Sequence, residues 1–331
     1  MNSVTHRLVQ AGDVRLHIAE AGTGPLVLLL HGFPEAWYSW RHQINALAEA
    51  GFRAVAVDQR GYGQSEHPTA VEKYSIMHLV GDVIHLLHAL DEKAAVVVGH
   101  DWGAEVAWHT ALMRPDLVRG VVGMSLPYRP RGAQSQLADM VEAFGDGVYT
   151  NYFQRPGAAD ADLGADPRKT FRLMLRGARK SAQPRAHSRP PAPIVPAGRT
   201  YLDIYSEPAN LPAWLTEADI EAYAAEFSAG FSGALNWYRN MDRNWELTAF
   251  LHNGVIRCPA LYLVGQQDRC LNFPGVRDAI ERLDELVVGR SEAVVLPDVG
   301  HWTQQEAPEQ VSTALIEFAR SVAPIAYEPA R

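Results

Sequence analysis

Cysteine is nearly missing: Cys258 and Cys270 are the only two in 331 residues. They stand too far apart for a C-x-x-C motif, and their scarcity excludes a disulfide-stapled secreted scaffold, so a reduced, cytosolic setting is expected. Long apolar runs are missing too. The longest, such as 25–30 (PLVLLL), fall far short of the roughly 20 residues a membrane-spanning helix needs. The opening MNSVTHRLVQAGDVRLHIAE has no apolar core of a signal peptide. A basic surplus is absent as well: 30 Lys and Arg against 38 Asp and Glu leave a net charge of −8, which argues against a nucleic-acid partner. No internal repeat is visible. What remains is a chain that is 47% apolar, enough for a sizeable core, and expected to be soluble and cytoplasmic.

Strand and helix patterns alternate over the first 125 residues. Short apolar runs predict strands at 15–20, 26–31, 53–58, 94–99 and 120–125, as buried parallel strands read. Between them, 75–91 predicts a helix with Ile76, Leu79, Val80, Val83, Leu86, Leu87 and Leu90 on one face and Ser75 as its cap. The rhythm returns with strands at 260–265 and 293–297 and a closing amphipathic helix at 308–322. The fold class is therefore α/β, a mostly parallel central sheet flanked by helices. Residues 128–255 break the alternation: they read as helical and rich in aromatics. The expected organisation is a core of 1–127 and 256–331 with a helical insert at 128–255. Inside the insert, Pro184, Pro190, Pro191, Pro193 and Pro196 forbid regular helix across 178–199. That stretch is basic, with Arg179, Lys180, Arg185, Arg189 and Arg199, and reads as a solvated loop.

The stretch VVVGHDWGAEVAW, 96–108, is a strand, a sharp turn flanked by Gly99 and Gly103, and a helix. This is the outline of the G-x-S-x-G nucleophile elbow, with Asp101 where serine would stand. Ligands of an open parallel sheet bind beyond the carboxyl ends of strands, which is where Asp101 falls. An Asp between a strand and a helix is also a good helix cap, and that alternative stays open on sequence alone. Three further motifs end strands at the same sheet edge. HGFPE (31–35) can aim the Phe33 N–H at a developing negative oxygen, with the Trp102 N–H as second donor. Its Phe33–Pro34 bond is predicted to be cis. VGQQD (264–268) brings Asp268, and DVGHW (298–302) brings His301.

A carboxylate is ionised at neutral pH and can displace a leaving group at saturated carbon, forming an ester on Asp101 itself. Water must then attack that ester, which needs a general base, His301, oriented by Asp268. The oxyanion formed on Asp101 falls to the N–H groups of Phe33 and Trp102. An epoxide oxygen, unlike a halide, leaves as an alkoxide and needs an acid, a task a tyrosine hydroxyl can perform.

The segments HGFPEAWYSWRHQ, DQRGYGQS, VVGHDWGAEVAW, LNWYRNMDRNWE and DVGHWTQQEAPE resemble the soluble epoxide hydrolases of the α/β-hydrolase superfamily, from about residue 5 to about residue 320. The sheet motifs are shared with haloalkane and haloacid dehalogenases; the insert motifs are more specific. The resemblance implies an α/β-hydrolase fold with an inserted helical cap, the chain order nucleophile, acid, histidine, and no cofactor or metal. It implies a pair of cap tyrosines that grip the epoxide oxygen. The matching positions are Tyr152 and Tyr238, Tyr152 being preferred over Tyr149 because it directly precedes Phe153 and Gln154. Phe33, Trp102, Phe153, Trp237 and Trp302 are expected to line an apolar pocket. His78, His85 and His88 share a helix without a carboxylate or cysteine to complete a metal set, and are expected to be mostly exposed. The expected partners are a small apolar epoxide and water, with a homodimer as the candidate assembly. The alternatives are a haloalkane dehalogenase using the same aspartate, and a non-catalytic ligand receptor of this fold.

Overall fold

The run LVLLL is buried along its whole length, which only a strand covered on both faces can be. In the computed structural model, which describes residues 3–176 and 192–322, this strand lies near the middle of an eight-stranded sheet. The strands are β1 (Thr5–Ala11), β2 (Val14–Ala21), β3 (Leu26–Leu30), β4 (Arg53–Val57), β5 (Ala95–His100), β6 (Val118–Met124), β7 (Ala260–Gly265) and β8 (Ser291–Leu296). Their order across the sheet is β1-β2-β4-β3-β5-β6-β7-β8. The first two pairings, β1 with β2 and β2 with β4, are antiparallel; the remainder are parallel. β1 has no counterpart among the predicted strands. Its sequence THRLVQA is largely exposed, so it lacks the apolar run that marks a central strand.

Helices cover both faces. In Ile76–Ala89 the predicted face is buried as expected, with Leu90 beside it at the helix end. The predicted cap differs. The Ser75 hydroxyl is bonded to His78 Nδ1 at 2.9 Å and caps no N–H, while the Ile76 N–H is taken by Asn244 Oδ1 at 2.7 Å. His85 and His88 are exposed, while His78 is half-buried by that bond. The closing helix Pro308–Val322 packs Val311, Leu315 and Phe318 into the core under β6. No described helix is long and apolar enough to cross a membrane.

Between β6 and β7 the described residues form helices and no strand of the sheet. The longer ones are Gln136–Phe144, Pro167–Met174, Glu217–Glu226 and Ser232–Arg239. Of the proline-rich stretch 178–199, residues 178–191, with Arg179, Lys180, Arg185 and Arg189, lie outside the described residues. Within the described part Ile194 makes an isolated antiparallel bridge to Val148.

Candidate active site

Asp101 sits between β5 and the helix Trp102–Met113 with φ 52° and ψ −118°. A side chain in that region costs roughly 1–3 kcal/mol and persists only where the surroundings over-determine it. They do so here. A Cβ on Gly99 would collide with the Gly103 carbonyl, and one on Gly103 with the Leu30 carbonyl. Two glycines therefore let the helix start against β3 and β5 at backbone distance. Although Asp101 occupies the cap position of the helix, its side chain makes no capping bond. Its Oδ1 accepts the Phe33 N–H at 3.0 Å, and the Trp102 N–H also bonds the carboxylate. Gly32 is obligatory for that contact, since a Cβ there would strike the Asp101 side chain. The Phe33–Pro34 bond is cis, as predicted.

His301 lies beyond β8, with Nε2 3.9 Å from Asp101 Oδ2. On its other side Nδ1 is 3.1 Å from both oxygens of Asp268 and 3.2 Å from Ser125 Oγ. The Cys270 sulfur is 3.8 Å from the same nitrogen. Asp268 is itself pinned by the Cys270 N–H at 2.9 Å. Gly265 permits the approach of the two loops, because a Cβ there would meet the Gly300 carbonyl. Burial pushes the Asp268 carboxyl up, but His301 and the hydrogen bonds outweigh it and hold the group down at about 2. For His301, burial pulls the imidazole down, while Asp268, Cys270 and their hydrogen bonds together hold it well above its ordinary value. Burial also raises Asp101 above the usual carboxylate range, against the pull of His301, His100 and the two N–H groups. The site is thus two carboxylates on either side of one imidazole, with the shielded carboxylate the stronger partner.

Sequence reasoning did not identify the support behind this triad. His100 is fully buried, with Nδ1 2.7 Å from Glu35 Oε2 and Nε2 2.8 Å from the His301 carbonyl. Glu35 further accepts the Gly32 N–H and the side-chain amides of Gln304 and Gln305. One buried carboxylate thereby ties the loop of Gly32 and Phe33 to the loop that carries His301. Glu35 and His100 sit inside the quoted motifs, but nothing in a linear sequence pairs positions 65 residues apart.

The predicted tyrosine pair needs a correction. Tyr149, not Tyr152, is hydrogen-bonded to Tyr238, and both Tyr149 and Tyr238 lie close enough to Asp101 to feel its charge. Tyr149 and Tyr238 line the cleft that reaches Asp101, together with Trp102, Leu126, Met140 and Met241. Tyr152 points elsewhere: the Arg155 guanidinium lies over its ring at 5.8 Å, and its charged neighbours are Asp162, Arg155 and Asp203. Its position before Phe153 was the wrong signal, because adjacency in sequence does not say which side of a single helical turn faces inward. Burial drives both facing phenols well above their ordinary value, so they stay protonated. The Trp102 indole N–H, which can only donate, bonds Tyr238.

The aromatic list is corrected in part. Trp102 lines the cleft. Phe153 and Trp237 are fully buried behind it: Phe153 packs edge-on against Tyr149, Tyr201 and Tyr238, and Trp237 donates its indole N–H to the Arg60 carbonyl at 3.0 Å. Phe33 packs on Tyr238 at 5.2 Å, and Trp302 on the His301 ring at 4.6 Å. Trp102, Glu105, Arg129, Gln136 and Met241 also line a neighbouring outer cavity of about 380 Å³.

Residues 25–308 match the family model described as the alpha/beta hydrolase fold. Epoxide hydrolase A of Mycobacterium tuberculosis is 44% identical over 322 residues, covering 96% of this chain and 98% of its own. Epoxide hydrolase 3 of Siraitia grosvenorii is 39% identical, covering 96% and 99%. Among solved structures, epoxide hydrolase A of Mycobacterium thermoresistibile superposes with a TM-score of 0.89 at 45% identity, covering 96% of this chain and 98% of its own.

Proposed function

We propose a mechanism for this chain, which belongs to the epoxide hydrolases of the α/β-hydrolase fold: it opens an epoxide through an ester on Asp101 and releases a vicinal diol. The carrying observation is the division of labour within the Asp101 carboxylate. Oδ1 is held by the Phe33 N–H, and Oδ2 faces His301. Oδ2 is therefore the attacking atom. It forms a bond to one epoxide carbon as the C–O bond breaks, and the departing oxygen takes a proton from Tyr149 or Tyr238. The product is a hydroxyalkyl ester.

In the second half, His301 Nε2 takes a proton from water, whose oxygen adds to the Asp101 carboxyl carbon. Charge collects on Oδ1, which the Phe33 N–H already holds, with the Trp102 N–H beside the same carboxylate as second donor. Collapse expels Oδ2 with the alkyl group, and the leaving oxygen takes the proton from His301. The remaining water proton restores the phenol, so one epoxide and one water give one diol. Forming the ester removes the negative charge beside Nε2. That weakens the hold of the imidazole on a proton at the step where it must act as a base.

In this reading residues 128–255 are a cap that carries the acid phenols, and the core is 1–127 with 256–331. A haloalkane dehalogenase would aim N–H donors at a halide. The Trp102 indole N–H is instead engaged by Tyr238, which supports the epoxide reading.

Asp101→Asn is expected to abolish diol formation. His301→Gln is expected to leave the first half intact, so that one substrate mass accumulates on the peptide holding Asp101. A His301→Gln enzyme that turns over at the wild-type rate with no adduct would falsify the mechanism.

A further inference from the structure

The active-site histidine has a neighbour the proposed reaction does not use. Cys270 is 5% exposed, its sulfur lies 3.8 Å from His301 Nδ1, and the Asp268 carboxylate lies 3.1 Å from the same nitrogen. Among the described residues this is the one cluster of three metal-ligating side chains whose donor atoms converge, all within 4.8 Å of one another. Tetrahedral zinc with ordinary bond lengths sets its nitrogen and oxygen ligands about 3.4 Å apart and its nitrogen and sulfur ligands about 3.6 Å apart. The nitrogen–oxygen and nitrogen–sulfur separations here fall within about 0.3 Å of those values, while the sulfur and the carboxylate, up to 4.8 Å apart, must draw in to about 3.6 Å when the metal binds. The donor set, one thiolate, one imidazole and one carboxylate, suits a borderline divalent cation such as Zn²⁺ and is poor for Mg²⁺ or Ca²⁺. The Ser125 hydroxyl also borders the cluster, 3.2 Å from Nδ1.

We propose that Asp268, Cys270 and His301 form an inhibitory zinc site. Binding displaces the Cys270 thiol proton and leaves no proton on His301 Nδ1. With Nδ1 on the metal, the remaining imidazole proton sits on Nε2, the atom facing Asp101. The ring then has no lone pair with which to deprotonate water. Alkylation of Asp101 does not draw on His301 and continues, so zinc traps the ester instead of preventing its formation. The metal-binding part stands on geometry alone; the trapping part rests on the role proposed above for His301.

The experiment uses the full chain without an added histidine tag. Equilibrium dialysis against Zn²⁺ is expected to give one zinc per chain in the wild type. In Cys270→Ala and Cys270→Ser the affinity is expected to drop by more than about a hundredfold, since losing a ligand exceeds the loss of a group behind one. In the presence of zinc and an epoxide, wild-type steady turnover is expected to fall at least about tenfold. One substrate mass should appear on Asp101, and each Cys270 variant should keep the rate it shows without zinc. The assignment is overturned if wild type retains no stoichiometric zinc, or if both Cys270 variants bind or are inhibited as strongly. Stoichiometric, Cys270-dependent zinc with inhibition but no adduct upholds the site and overturns the trapping. A chain that binds zinc through Cys270 yet turns over no epoxide upholds the site and removes the functional reading beneath the trapping.

Discussion

A phenol can protonate a departing alkoxide only if its oxygen reaches the departing atom and its proton is present when needed. Tyr149 is placed for the role proposed above: it lines the cleft that reaches Asp101, it is bonded to Tyr238, and burial keeps it protonated. Tyr152 is three residues further along the same short helix, about 60° short of a full turn, and packs under Arg155 instead. Tyr149→Phe is therefore expected to cut kcat/KM for epoxide opening by about a hundredfold or more, the worth of a positioned acid. Tyr152→Phe is expected to stay within about threefold of wild type. The check is initial-rate diol formation; equal losses in the two variants would put the acid on the wrong tyrosine. At this scale residue types were legible and directions were not. Asp101, Asp268 and His301 each end a strand in a pattern the sequence displays, whereas the choice between two tyrosines three apart depends on where the helix carrying them packs.

At the scale of elements, the strained elbow depends on absent side chains. The carbonyls of Gly103 and Leu30 occupy the space that a Cβ at Gly99 or Gly103 would need. Since the Gly103 carbonyl is fixed in the helix Trp102–Met113 and the Leu30 carbonyl in β3, neither can retreat without disrupting its element, and Gly99→Ala is expected to destabilise by about 3 kcal/mol or more. Gly81, in the middle of Ile76–Ala89, meets nothing within 4 Å. Gly81→Ala should stabilise by about 0.5–1 kcal/mol through helix propensity alone. Urea unfolding of the two variants checks both signs, and a neutral Gly99→Ala would remove the steric account of the elbow. Element types followed from periodicity wherever one face or both faces are buried, as in β3, β5 and Pro308–Val322. The edge strand β1 escaped because its pattern is dominated by water, and the Ser75 cap failed because its hydroxyl is engaged by the His78 ring instead of a helix N–H.

At the scale of the molecule, side chains from Glu217–Glu226 hold the helical segment onto the sheet. Asp219 accepts from the Tyr38 hydroxyl at 2.9 Å and pairs with Arg41 at 3.1 Å. Glu226 accepts the Trp37 indole N–H at 2.8 Å. Burial first, and then the nearby Asp58 carboxylate, push the Glu226 carboxyl up to about 7, against the pull of Trp37 and His17. A raised carboxyl favours the folded state while it is protonated, and that contribution is lost as pH rises from the ordinary carboxylate range through about 7. Glu226→Gln keeps an acceptor for Trp37 without the charge. It is expected to raise stability at about pH 8 by about 1–2 kcal/mol, after allowance for solvent screening of a part-exposed group, with the gain shrinking towards zero near pH 5. A gain of equal size at both pH values would show that charge is not the cause.

Strand and helix alternation, the glycine-flanked turn carrying Asp101, and the separate strand-end motifs carrying Asp268 and His301 are each local in the chain. Periodicity, turn chemistry and spacing act between near neighbours, so the sequence alone determined them. Which phenol faces Asp101, which buried carboxylate ties the two loops together, and that a thiol stands behind the histidine were decided only by the tertiary structure. Each depends on surfaces brought together from distant parts of the chain, and hydrogen bonds and packing contacts fall off within a few ångströms whatever the separation in sequence.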